Sequence, residues 1–154
     1  MGLGMFVPPY ASILAALGTD PARIKKEGTV EMPREFLDML LRCLLYLEDF
    51  DEKAYLDANP DVKGAVRAAE VKNGRSHYVG FGYFEGRKAR ATDVNEAWYL
   101  KTYPDVAAAV KRGDVASAAE HYAHAGVHEW RAPNRDLESE VKMWKQAVKG
   151  TIAA

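Results

Sequence analysis

The sequence is short of the features that commit a chain to a compartment or a reaction. Its single cysteine, Cys43, excludes an intrachain disulfide framework, which suits a reducing compartment. No apolar run approaches the ~20 residues of a membrane-spanning helix. The start, Met1-Gly-Leu-Gly-Met-Phe, lacks the basic region and small-residue cleavage site of a secretory signal. The expected location is therefore cytoplasmic, with Met1 or Met5 as the start. Excess charge of either sign is missing too: 21 Lys plus Arg stand against 22 Asp plus Glu, a formal net charge of −1. A chain so balanced has no global attraction to nucleic acid or to an anionic membrane surface. No motif commits it to a reaction, and no cofactor is expected. The glycine-rich stretch Gly80-Phe-Gly82-Tyr-Phe-Glu-Gly86 has the wrong spacing for a dinucleotide loop and follows no strand.

What is present is the balance of a globular chain. The 154 residues are 48% hydrophobic and 28% charged, enough to bury a core without disulfides or metal. The dominant feature is an internal repeat. Read from Phe50, FDEKAYLDANPDVKGAVRAAEVKNGRSHYVGFGYFEGRKA returns from Val94 as VNEAWYLKTYPDVAAAVKRGDVASAAEHYAHAGVHEWRAP, an ungapped offset of 94 − 50 = 44. Tyr55-Leu56 meets Tyr99-Leu100, and Pro60-Asp61-Val62 meets Pro104-Asp105-Val106. His77-Tyr78 meets His121-Tyr122, and Gly82, Glu85 and Arg87 meet Gly126, Glu129 and Arg131.

Each unit reads as three short helices. The first covers Glu52 to Ala58, and its counterpart Glu96 to Thr102. The second opens on Pro60 or Pro104, because proline suits a first turn where its missing N–H is not needed. Asp61 and Asp105 favour the positive end of that helix, with Asn59 as the expected cap in the first copy and Asp105 in the second. Gly113 stops the second copy's helix. The third helix opens on the capping box Ser117-Ala-Ala-Glu120, of which the first copy keeps the cap, Asn73, but not the Glu. Gly82 and Gly126 fall where a left-handed residue would end that helix.

The flanks are helical as well: Pro9 to Leu17, Pro21 to Gly28, Pro33 to about Glu48, and about Asp136 to Lys149. The third of these carries Phe36, Leu37, Met39, Leu40, Leu41, Cys43, Leu44, Leu45 and Leu47, an apolar set covering most of its circumference, which predicts a core helix. No alternating strand pattern is visible. The fold class expected is all-α, a single domain over 1–154. It comprises N-terminal helices at 8–49, repeats at 50–93 and 94–133, and a C-terminal amphipathic helix at 134–154.

The pattern Y-L-x-x-x-P-D-V-x-x-A-V followed by H-Y-x-x-x-G-x-x-E-x-R resembles a bacterial tandem helical repeat. That repeat accompanies surface-polysaccharide and glycosyltransferase-like chains and occurs in large secreted repeat proteins. The resemblance covers residues 50–133 and implies an accessory module. It assigns no catalytic residue, and a catalytic domain is not recognisable beside it here.

Six site residues follow from the repeats, and a seventh from the C-terminal stripe. His77-Tyr78 and His121-Tyr122 form either a ligand-facing pair in each unit or a packing site, and repetition favours packing. Trp98 and Trp130 stand where the first copy holds Ala54 and Gly86, so they are the aromatics least explained by a shared core. Trp144 belongs to the stripe Leu137, Val141, Trp144, Val148, which either caps the domain or docks on another chain. His121, His124 and His128 share a helical face and with Glu129 form a weak candidate for zinc or nickel. Against it, the first copy has Gly80 and Phe84 at the latter two positions. Glu85 with Arg87, and Glu129 with Arg131, read as local ion pairs, and Cys43 as a core thiol. The expected function is a non-enzymatic helical-repeat adaptor binding another protein or itself. A glycan-binding accessory protein in surface-polysaccharide assembly is the alternative, and a metal-binding helical protein a third reading.

Overall fold

The computed structural model describes residues 6–150; the two alternative starts, Met1 and Met5, and the last four residues of the C-terminal segment lie outside them. Among the described residues the chain forms ten α-helices and two π-helical turns, with no strand, so the all-α class is the one observed. No helix among them is long and apolar enough to cross a membrane. The chain divides into two compact units, one ending at Arg90 and the other beginning at Ala91.

The first unit holds α1 (Tyr10–Ala16), α2 (Pro21–Glu27), α3 (Arg34–Leu47), α4 (Glu52–Ala58), α5 (Pro60–Arg67) and α6 (Gly74–His77), the last running into a π-helical turn, Tyr78–Gly82. Local chemistry sets the ends. The Asp20 carboxylate accepts from the Ala22 and Arg23 amides, and Gly28 closes α2 at φ +70°. Asp51 accepts from the Ala54 amide at the start of α4. Asn73 accepts from the Ser76 amide at the start of α6, as expected of it. Asn59 does not cap α5. Its amide group instead donates to the Tyr55 carbonyl and its oxygen accepts from Arg87.

The core of this unit is Tyr55, Val62, Tyr78, Val79 and Ala89 with Leu45 from α3, bordered by Phe50, Leu56 and Val66. Leu45 is the one buried residue of α3, which overturns the expectation of a core helix. The aromatic rings of α4 and the π turn already fill the space between these short helices. One stripe of α3 is therefore enough to close it: Phe36, Leu41 and Cys43 are half-buried beside Leu45, and Leu37, Met39, Leu40, Leu44 and Leu47 are exposed. Arg75 fixes the helix end, donating to the Tyr46 and Glu48 carbonyls while its guanidinium lies 5.3 Å from the Phe50 ring centre.

The second unit holds α7 (Glu96–Thr102), α8 (Pro104–Arg112), α9 (Ala118–His121), a π-helical turn Tyr122–Gly126, and α10 (Glu138–Val148). Its core is Tyr99, Val106 and Ala118, with Val94, Trp98, Leu100, Tyr103, Val110 and Tyr122 around it. The capping box forms with a one-residue displacement: the Ser117 hydroxyl accepts from the Glu120 amide, while Glu120 reaches back to Ala116 rather than Ser117. The Tyr103 hydroxyl accepts from the Ala132 amide, and Asn134 donates to the Asp93 carbonyl, closing the unit across its two ends. No residue of α10 is buried.

Two left-handed positions recur at the 44-residue offset, and their residues are exchanged between copies. Ala69 (φ +58°) ends α5 where Gly113 (φ +81°) ends α8, each with the paired six-to-one and five-to-two bonds of a Schellman cap. Gly86 (φ +78°) and Trp130 (φ +57°) close the turns after the two π segments in the same way. The left-handed stop after the third helix thus lies four residues beyond Gly82 and Gly126, where it had been expected.

Candidate functional site

Each unit builds the same polar constellation from the same positions. In the first, the Tyr55 hydroxyl and His77 Nδ1 are 3.0 Å apart; in the second, the Tyr99 hydroxyl and His121 Nδ1 are 3.1 Å apart. Burial raises the pKa of Tyr55, and pushes that of Tyr99 up to about 12, so both phenols stay protonated at neutral pH. Gly82 and Gly126 are what let the rings in. A Cβ on either would collide with the tyrosine hydroxyl, so these glycines are required by close approach.

Arg87 and Arg131 brace the same region. Each guanidinium makes a bidentate pair with the aspartate of the proline-led helix, Asp61 at 2.8 Å or Asp105 at 2.6 Å, while its Nε donates to Glu85 or Glu129. The hydrogen bonds from arginine hold the Asp61 and Asp105 carboxyls down at about 2. Arg131 additionally lies 4.9 Å from the Tyr103 ring centre. Glu52 completes the first constellation by accepting from the Gly74 and Arg75 amides, and Glu96 repeats the bond on Ala118. Among the described residues no buried side-chain nitrogen or oxygen is without a partner.

The predicted residues therefore fall into three groups. Tyr78 is buried in the first core, its ring edge-on to Tyr55, and Tyr122 is half-buried against Tyr99. Trp98 lies edge-on to Tyr103 beside the second core. His77 and His121 are half-buried hydrogen-bond partners of the core tyrosines. Trp130 and Trp144 are exposed. His121, His124 and His128 are not brought together: no group of three or more His, Cys, Asp and Glu side chains among the described residues is placed to hold a metal ion.

The outer face of α3, the wide apolar helix expected in the core, is left uncovered. Leu37, Leu40, Leu44 and Leu47, on one side of the helix, are 46%, 42%, 48% and 76% exposed; Met39 and Tyr46 are exposed on another side. The charged side of the helix turns the other way: the Arg42 guanidinium lies 5.0 Å from the centre of the Phe84 ring, itself on the turn after the first π segment. The signal was present in the sequence as an apolar set wider than a single packing stripe.

No protein family, curated protein or solved structure was found to match the chain.

Proposed function

We propose that the chain is a non-enzymatic interaction module that binds a protein, either a partner or a second copy of itself, through the outer face of α3. One observation carries this reading: four leucines at successive turns of α3 stand exposed while Leu45 alone is buried. Leaving that surface in water costs roughly 25 cal/mol for each Å² that a partner would cover. The repeated Tyr–His and Arg–Asp networks support the same reading from the other side. Their hydrogen bonds join one short helix to another, which suits a scaffold that holds those helices in place.

Capture from native lysate with wild-type bait beside a Leu44→Glu bait tests it. A stoichiometric protein retained by the wild type and released by the variant is the expected result. Identical retention by both baits, together with a monomeric purified protein, would refute it.

A glycan-binding role is the second reading, favoured by one specific feature. Trp130 holds an exposed indole on a left-handed backbone that its counterpart fills with glycine, and strained residues gather at functional sites. An aromatic ring so presented suits the face of a sugar. A glycan array probed with wild type and Trp130→Ala decides it: signal lost in the variant supports the role, and a blank array removes it.

A further inference from the structure

Asn73-Gly74 is the one Asn-Gly pair in the sequence, and no Asp-Gly pair occurs. In such a pair the glycine nitrogen can attack the side-chain carbonyl carbon of the residue before it, because glycine has no side chain to block the approach. Water is the only co-reactant. The Gly74 nitrogen loses its proton and bonds to Asn73 Cγ, the bond from Cγ to Nδ2 breaks, and Nδ2 leaves as ammonia with that proton. Water then opens the five-membered imide at either carbonyl, giving aspartate or isoaspartate at position 73.

The folded chain blocks each requirement of that step. The Gly74 N–H donates to Glu52 Oε1 at 2.6 Å, and the negative carboxylate opposes loss of the proton it holds. The Asn73 carboxamide is fixed as well, its Oδ1 accepting from the Ser76 amide at 2.7 Å. Ring closure needs the Gly74 nitrogen level with Asn73 Cβ, and at φ −168° and ψ 171° it stands out of that plane. Gly74 is buried, and a Cβ there would lie 3.0 Å from Glu52 Oε1 and 3.1 Å from Tyr55 Cδ1, so the backbone has little room to turn. Arg75 fastens the same turn to the end of α3 through the Tyr46 and Glu48 carbonyls. The second unit repeats the cap and the carboxylate, with Ser117 at the Asn73 position and Glu96 on the Ala118 amide, but lacks the reactive side chain.

We propose that Asn73-Gly74 is a self-modification site held shut by Glu52, so that deamidation of Asn73 records the opening of the start of α6. While the turn is closed the asparagine persists. Each local opening that frees the Gly74 amide from Glu52 exposes the pair to the reaction. The change is one-way and belongs to the first unit alone, and isoaspartate lengthens the main chain by a methylene directly ahead of Gly74.

Peptide mapping by mass spectrometry after incubation at neutral pH tests this, with electron-transfer fragmentation to separate aspartate from isoaspartate. Wild type unfolded in urea should convert Asn73 at least roughly tenfold faster than folded wild type. Glu52→Ala, shown folded by circular dichroism, should convert roughly tenfold faster than folded wild type, the factor by which loss of such a cap favours local opening. A wild-type series in urea below the unfolding transition keeps the test independent of that variant's folding: conversion should rise in step with hydrogen exchange at the Gly74 amide. An Asn73 that converts as fast folded as unfolded overturns the proposal, and so does one that persists in urea. Folded Glu52→Ala converting no faster than wild type, or conversion that does not follow Gly74 exchange, overturns it too, because the carboxylate would then not be the lock.

Discussion

The hydroxyl of Tyr55 occupies the space that a Cβ on Gly82 would need, and Tyr99 stands in the same relation to Gly126. Gly82 has helical backbone angles, so alanine there would ordinarily be favoured by helix propensity, by up to about 1 kcal/mol. Here the sign should invert. Gly82→Ala forces the Tyr55 ring out of a close-packed core, an overpacking cost of roughly 1–3 kcal/mol. Tyr55→Phe alone loses the bond to His77, about 1 kcal/mol. The double variant should be more stable than Gly82→Ala, because the next obstacles are milder: Tyr55 Cζ at 3.5 Å is an ordinary contact, and His77 Nδ1 at 3.3 Å, freed of its hydroxyl partner, has to give by only a few tenths of an ångström. Urea denaturation of the four proteins gives the coupling. Additive losses would show that the glycine is there for another reason.

The exchanged residues at the left-handed positions make a second test. Ala69 ends α5 in a conformation that Gly113 supplies without strain at the end of α8. A left-handed non-glycine residue costs about 1–2 kcal/mol, partly offset because alanine restricts the unfolded chain. Ala69→Gly should therefore stabilise, and Gly113→Ala destabilise, each by about 1 kcal/mol. At the other pair the comparison is between two replacements of Trp130. Both remove the indole, but alanine keeps the strain and glycine relieves it. Trp130→Gly should melt above Trp130→Ala, and equal melting temperatures would show that the turn relaxes.

Where a local rule suffices, several elements were readable to the residue, though Asn59 and Asp105 do not cap α5 and α8 and the left-handed stops lie beyond Gly82 and Gly126. Glu52–Ala58 and Glu96–Thr102 are helices over their expected spans, and Asn73 and Ser117 cap as their positions demand. Two things resisted. The Tyr55–His77 bond and the Glu52 carboxylate on the Gly74 amide join residues 22 apart, and only the packed turn brings them together. Their trace in the sequence was the recurrence of Tyr, His, Gly and Glu at the 44-residue offset, which marks importance without showing contact. The second is α3. Its pattern states how much apolar surface the helix carries, and that quantity does not say whether the covering comes from its own chain.

Glu52 is a prediction in itself. Its two oxygens satisfy the Gly74 and Arg75 amides, at 2.6 and 3.0 Å, at the free end of α6, and Arg75 in turn holds the end of α3. Glu52→Ala leaves those N–H groups without their acceptor and should cost about 1–2 kcal/mol, as the loss of a helix cap does. Hydrogen exchange should show where: faster at the Gly74 and Arg75 amides, and in the last turn of α3. Protection unchanged in that turn would mean that Arg75 stays seated without Glu52.

The arginine braces should be visible in acid. Asp61 and Asp105 have an ordinary pKa of 3.8, lowered to about 2 by Arg87 and Arg131. A carboxyl with a depressed folded-state pKa contributes stability that is full above its unfolded value and disappears as pH falls through the folded one. The contribution of both pairs should therefore drain away between about pH 4 and pH 2. Asp57, which Lys53 and Lys63 hold at about 2, titrates in the same window and must be kept constant. The comparison is between wild type and Asp61→Asn with Asp105→Asn, both carrying Asp57. The double variant should be less stable at neutral pH, and its acid limb should be shallower by the protons those two carboxyls no longer take up. Both aspartates are largely exposed, so high salt should shrink the difference. Parallel acid limbs for the two proteins would mean that the carboxyls titrate alike folded and unfolded, and that the bidentate geometry positions the turn without contributing charge stabilisation.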